Sequence, residues 1–141
     1  MIRALARDRN FWAAVTAALF FWCALVATGY AVGGVPFSGK VLLLGVLVYP
    51  MLEEATFRGL LQGLLLKQPW AQCAWKGWSV ANGVTSAFFS AAHLTFYEPL
   101  WAAAVFAPSM LFGYFRDRYG GIGPSILLHA YYNLGWLLLN A

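Results

Sequence analysis

The chain has 141 residues, of which 62% are hydrophobic, 18% aromatic and only 10% charged, with a mean hydropathy of +0.67. That composition excludes an ordinary soluble domain and reads as apolar helices long enough to cross a bilayer. The net charge of +4 comes from Lys and Arg lying mostly in short connections, with no basic helix face, so it marks membrane topology and excludes nucleic-acid binding.

Residues Met1–Asn10 form a basic flank carrying Arg3, Arg7 and Arg9 against Asp8. From Phe11 to about Val32 the chain is uncharged and apolar for about 22 residues, enough for a first membrane helix. This run is longer than a signal-peptide core and no small-residue cleavage site follows it, so the helix is expected to stay in place. Gly33-Gly34-Val35-Pro36-Phe37-Ser38-Gly39 reads as a turn, closed by Lys40.

A second apolar run, Val41 to Leu66, contains Pro50-Met51-Leu52-Glu53-Glu54-Ala55-Thr56-Phe57-Arg58-Gly59. It places two of the chain's five acidic residues and an arginine inside a membrane helix. A charge at the bilayer centre costs about 2.5–3.5 kcal/mol on insertion scales, so these three need a partner network or a chemical role. A loop then reaches Lys76-Gly77, and a third run, Trp78–Phe96, carries Phe89 and His93. Glu98-Pro99 breaks it, and Pro99 opens a fourth run to Phe115 with a kink expected at Pro108. Arg116-Asp117-Arg118 and a glycine-rich turn follow, and Pro124 opens a fifth run that holds His129 and Asn133.

The expected fold is therefore an all-α, polytopic transmembrane bundle of about five helices. With a cytoplasmic N-terminus, the inner segments hold Arg3, Arg7, Arg9, Lys67, Lys76, Arg116 and Arg118, and the outer ones only Lys40. That asymmetry satisfies the positive-inside rule and fits a multi-pass protein of a bacterial cytoplasmic membrane. Cys23 and Cys73 have no metal-ligand spacing and no disulfide framework, and read as a space-filler and a loop thiol.

Glu54 and Arg58 are four apart and share a helix face, the spacing of an intrahelical ion pair. Glu53 points about 100° away and is left to face a cavity, near a kink at Pro50 and the close-packing pair Gly59 and Gly63. The competing reading is a buried ion-pair network that only locks helices together. Both histidines of the chain, His93 and His129, lie in apolar helices; Phe89 precedes His93 by four residues and Asn133 follows His129 by four. A carboxylate assisted by a histidine can take a proton from water, and imidazole and amide donors can stabilise the oxyanion of an attacked carbonyl. No activated serine, and no cysteine near these histidines, points to a covalent nucleophile.

Glu53-Glu54-x-x-x-Arg58-Gly59, Phe89-x-x-x-His93 and His129-x-x-x-Asn133, in that order and each in a membrane helix, resemble the three-motif pattern of the CAAX-processing and bacteriocin-processing intramembrane proteases, the CPBP or Abi family. The resemblance covers Pro50 to Asn133. It implies a membrane-embedded peptidase in which Glu53 activates water with His93, His129 and Asn133 bind the oxyanion, and Glu54 and Arg58 support the site, with Phe89 packed beside His93. It also implies a bilayer setting and a membrane-associated peptide or protein as substrate. Residues 1–141 then form one protease domain, with 1–40 as basic flank and first helix and 41–141 as the catalytic core. Such proteins usually carry more flanking helices, which points here to a compact member acting on one small class of peptide or sorting-signal substrate.

The family has been described both as metalloproteases and as metal-free glutamic proteases. Glu and two His could supply zinc, but no His-Glu-x-x-His helix favours it, and the metal-free mechanism is the expectation. A proton-coupled carrier and a non-catalytic immunity or assembly protein of the same fold are the other readings of intramembrane Glu, His and Arg. By position along the runs, Glu53 falls near mid-membrane but His93 near the outer end of its run. The third helix is therefore expected to be displaced, tilted or differently bounded.

Overall fold

The computed structural model describes residues 2–29 and 37–141, and over these the chain is mostly helical. The basic flank forms a short helix α1 (Ile2–Ala6), and Asp8 caps α2 (Arg9–Ala27), its Oδ1 accepting from the Asn10 N–H at 2.9 Å. The helix thus starts slightly earlier than its apolar composition indicates, because the cap and not the first apolar residue sets its beginning. It ends at Thr28, before Gly29 with φ +68°. Among the described residues α2 is the one helix whose length and composition suffice to cross a membrane. Most of the turn expected over 33–39 lies outside the described residues; within them, Ser38 caps the next helix by accepting from Val41 N–H at 3.2 Å.

The second run is helical throughout 39–65, here α3, but not uniformly α-helical. Two π-helical stretches, Leu43–Val48 and Ala55–Gln62, alternate with the α-helical Gly39–Leu42, Tyr49–Glu54 and Gly63–Leu65. One stretch precedes Pro50, which cannot donate to a carbonyl one turn earlier; the other follows the paired glutamates.

The loop expected before the third helix is more structured than its sequence suggested. A short helix α4 (Pro69–Gln72) leads into a two-stranded antiparallel hairpin, β1 (Ala74–Trp75) and β2 (Trp78–Ser79), with Ala74 opposite Ser79 and Trp75 opposite Trp78. Lys76 and Gly77 form its two-residue turn with φ 50° and 86°, the both-positive geometry of a type I′ turn. This hairpin is the one departure from an all-helical chain among the described residues.

Helix α5 (Val80–His93) starts at a Ser79 cap and ends at His93, three residues short of the expected Phe96. Its 14 residues rise about 21 Å, less than the roughly 30 Å hydrocarbon core of a bilayer. The fourth run divides into α6 (Pro99–Ala104) and α7 (Phe106–Tyr119). The break falls at Val105 rather than Pro108, since the proline's missing N–H orphans a carbonyl one turn upstream. Arg116, Asp117 and Arg118, read from sequence as a connection, belong to the last turn of α7, where the two arginines complement the helix dipole. Gly120, at φ +67°, terminates it. Helix α8 (Gly123–Leu139) closes the chain.

Two compact units are distinguished, residues 1–52 with 127–141, and residues 53–126. In the first, Trp22 lies against Gly135, where a β-carbon would come within 2.1 Å of the indole. Trp22 also meets Tyr131 edge-on at 4.9 Å, and the Tyr132 hydroxyl donates to the Ala14 carbonyl at 2.9 Å. These contacts hold α2 along the C-terminal part of α8. In the second unit, α5, α7 and the 53–65 part of α3 enclose a core of Phe89, Phe112 and Phe115 together with many buried polar groups.

Candidate active site

The polar core of the 53–126 unit is organised around Arg58, which is wholly buried. Its Nε lies 3.4 Å from Glu54 Oε2, the ion pair expected from their spacing. Nη1 donates to Gln62 Oε1 at 3.3 Å and to Ser86 Oγ at 3.4 Å, and Nη2 donates to the Ser109 carbonyl at 2.7 Å and to the Ser109 hydroxyl. A guanidinium has five donors in a fixed plane, and its two Nη groups find acceptors on three helices. Gln62 extends the network, donating to the Gly113 carbonyl at 3.1 Å and to Asp117 Oδ1 at 2.7 Å. The other Asp117 oxygen accepts from the Ser79 hydroxyl at 2.7 Å, and Asn82 joins Ser86 Oγ to the Met110 carbonyl.

Four-residue spacing lets one helix present three of these groups in a row. In an α-helix, residues four apart are offset by about 40° around the axis. Glu54, Arg58 and Gln62, each four from the next, therefore share one face of the helix, Arg58 and Gln62 lying within the π-helical stretch. All three are fully buried, whereas neighbouring Leu60 and Leu64 are exposed.

A second chain of contacts leads away from Arg58 to the histidine. The guanidinium carbon lies 5.7 Å from the centre of the Phe89 ring. Phe89 packs edge-on against Phe57 at 4.9 Å and lies tilted by 37° to the His93 ring at 4.6 Å. His93 Nδ1 is 2.8 Å from the Phe89 carbonyl, which can only accept. The proton therefore sits on Nδ1, and in the neutral ring Nε2 keeps its lone pair for another partner. Phe89 thus holds the imidazole twice, by its ring and by its backbone.

His93 closes α5, and Tyr97, in the turn beyond it, stacks on the imidazole at 5.8 Å and 16° while donating its N–H to the His93 carbonyl at 2.9 Å. The Tyr97 phenol is raised above its ordinary value, first by burial and then by the negative charge of Glu53. Sequence reasoning missed Tyr97; its signal was the four-residue spacing from His93, which repeats that of Phe89 on the other side.

The two remaining predicted residues belong to the other unit. His129 is buried. Asn133 is half-buried, and its amide donates to the Gly45 carbonyl at 2.9 Å, within the first π-helical stretch of α3. One of its two amide hydrogens is thereby used to tie α8 to that stretch. Among the described residues no group of three His, Cys, Asp or Glu side chains comes together as a metal site.

Residues 36–135 match the family model of the type II CAAX prenyl endopeptidases, Rce1-like. All three sequence motifs fall inside the matched region. No curated protein and no solved structure matches the chain.

Proposed function

The chain belongs to the Rce1-like family of type II CAAX prenyl endopeptidases, membrane-embedded peptidases of the CPBP group, as its three motifs led one to expect, and from that membership we propose that it is an intramembrane endopeptidase of glutamic type acting on a membrane-associated peptide or protein. The observation that carries the reading is His93 held by the ring and carbonyl of Phe89, beside a buried Glu54–Arg58 pair on the helix that bears Glu53.

In the proposed reaction Glu53 accepts a proton from a water molecule, with His93 Nε2 accepting that water's second hydrogen as a hydrogen bond. The water oxygen bonds to the carbon of the scissile carbonyl, and the carbonyl π electrons move onto its oxygen. His129 and the second amide hydrogen of Asn133 stabilise this oxyanion. The oxyanion then collapses, the C–N bond breaks, and the proton held by Glu53 passes to the departing nitrogen. The products are a carboxylic acid and an amine, and Glu53 is returned as carboxylate. Glu54, Arg58 and Phe89 touch no reacting atom in this scheme; they fix the helix and the imidazole. No step is routed through a metal.

For topology, we read the helical runs beyond α2 as further membrane passages with the N-terminus in the cytoplasm, supported by the distribution of Lys and Arg along the chain. The test of the catalytic reading is reconstitution with membrane-tethered CAAX-type peptides, comparing the wild type with Glu53→Gln, His93→Ala and His129→Ala. Glu53→Gln is expected to fold normally and lose cleavage by at least about a hundredfold, the usual scale for a general base. Cleavage that survives in a folded Glu53→Gln protein would overturn the assignment.

A further inference from the structure

The connection between α3 and α5 carries a surface that the catalytic reading does not use. Residues 67–78 include three tryptophans, Trp70, Trp75 and Trp78, and two lysines, Lys67 and Lys76. Trp75, at the hairpin, is 71% exposed and Trp70, at the start of α4, is 55% exposed. Lys76 Nζ lies 4.6 Å from the centre of the Trp75 ring, so the most exposed indole and an ammonium form one unit.

This tip projects from a firm base. Trp78 packs on Tyr114 at 5.0 Å, and a β-carbon at Gly77 would come within 3.0 Å of the Tyr114 ring. Ser79 is bonded to Asp117, and the Val80 N–H donates to the Cys73 carbonyl at 2.9 Å. Exposure of Trp75 therefore reflects a built turn. The surroundings are predominantly basic: no acidic residue occurs between Leu61 and Tyr97, and Arg116 and Arg118 stand in the last turn of α7, alongside β2. The one nearby acid, Asp117, has both oxygens engaged by Gln62 and Ser79.

Exposed indoles favour the boundary between hydrocarbon and water, where the ring is partly buried and its N–H stays hydrated. Lysines beside them extend their ammonium groups to the headgroups and are drawn to negative surface potential. We propose that the Trp–Lys hairpin and α4 seat in the headgroup layer and bind anionic phospholipid there. The proposal is independent of the peptidase reading.

Cys73, exposed within this same segment, offers a reporter. With Cys23→Ser, the full-length protein carries one thiol, which takes an environment-sensitive fluorophore. The labelled protein is placed in nanodiscs of phosphatidylcholine alone or of phosphatidylcholine with phosphatidylglycerol, and quenching by neutral acrylamide is measured. Quenching is expected to be about two-fold weaker in the anionic discs, and the difference to vanish in molar salt, where screening acts within about 3 Å. Trp75→Ala with Lys76→Gln should abolish the difference; Lys76→Gln alone, which retains the turn and the indole, should reduce it. Equal quenching in both lipids would overturn the proposal, as would a difference that the variants leave intact. A difference reproduced in neutral discs by a soluble acidic polypeptide would overturn it in favour of a protein partner.

Discussion

Gly113 and Asn82 meet so closely that a β-carbon at 113 would sit 1.8 Å from Asn82 Oδ1 and 3.0 Å from Arg58 Nη1. The absence of a side chain on α7 is what lets the amide and the guanidinium occupy one layer. Gly113→Ala must expel Asn82 from its bonds to Met110 and Ser86. The expected cost is at least about 1–3 kcal/mol from overpacking, with more from the buried polar groups left unmatched. A fall of several degrees in the detergent-solubilised thermal midpoint would register it; an unchanged midpoint would contradict the packing described.

Arg58 and Glu54 should behave as a coupled pair. Arg58→Met leaves a buried carboxylate uncompensated and is expected to cost about 3–5 kcal/mol. Glu54→Gln keeps the shape while removing the charge, and should cost less. Combining the two should then be milder than Arg58→Met alone, because the stranded charge is gone. Strict additivity in a double-mutant cycle would show that the 3.4 Å contact contributes nothing.

The influence of the Glu53 charge on Tyr97 can be read by titration. The phenol is raised above 10.0 by burial first and by Glu53 second. Glu53→Gln should therefore lower the Tyr97 value part of the way back, with burial maintaining the rest. The folded protein holds this proton more tightly than the unfolded chain does. The associated stability is thus complete below pH 10.0 and is lost as pH rises through the raised folded value. Absorbance titration, with Tyr97→Phe identifying the signal, checks both statements; no movement on Glu53→Gln would separate the two residues.

Metal dependence gives a further contrast. Peptide cleavage by the reconstituted protein is expected to persist after exhaustive chelation, as a carboxylate-activated water requires. Loss of cleavage that zinc alone restores would favour metal-activated water instead.

What could be read from sequence was what depends on near neighbours along one helix. The Glu54–Arg58 pair and the packing of Phe89 on His93 both rest on four-residue spacing, and both occur. Gln62 was within reach of the same rule, being four beyond Arg58, but an uncharged amide attracts less notice than a carboxylate. Ser86, Ser109 and Asp117 were not legible, because their roles arise only when α5 and α7 pack beside Arg58. Pro108 correctly marked an interruption, although its effect fell at Val105. Lys76-Gly77 held the signal of a tight turn in its glycine, yet a lysine with positive φ is uncommon enough to hide it. The end of α5 at His93 shows that its run is bounded differently from the sequence reading, one of the outcomes that the depth mismatch between Glu53 and His93 left open.

The π-helical stretch Ala55–Gln62 has a consequence for how the sequence can vary in length. A π turn is an α-helix accommodating an added residue, so this segment is a place where the chain's count and its geometry are linked. Removing one residue between Arg58 and Gln62 would let the helix tighten to its ordinary ladder with little change in hydrophobicity. Where the ladder does not tighten, the deletion would turn everything before it by one residue's step, about 100° on an α-helix, against everything after it. Glu53, Glu54 and Arg58 would then turn together relative to Gln62, so that the Glu54–Arg58 pair would stay intact while Gln62 lost its place beside the guanidinium. Substitution tables would score such a shortened chain as nearly unchanged, yet the amide that joins Arg58 to Asp117 would have left its line.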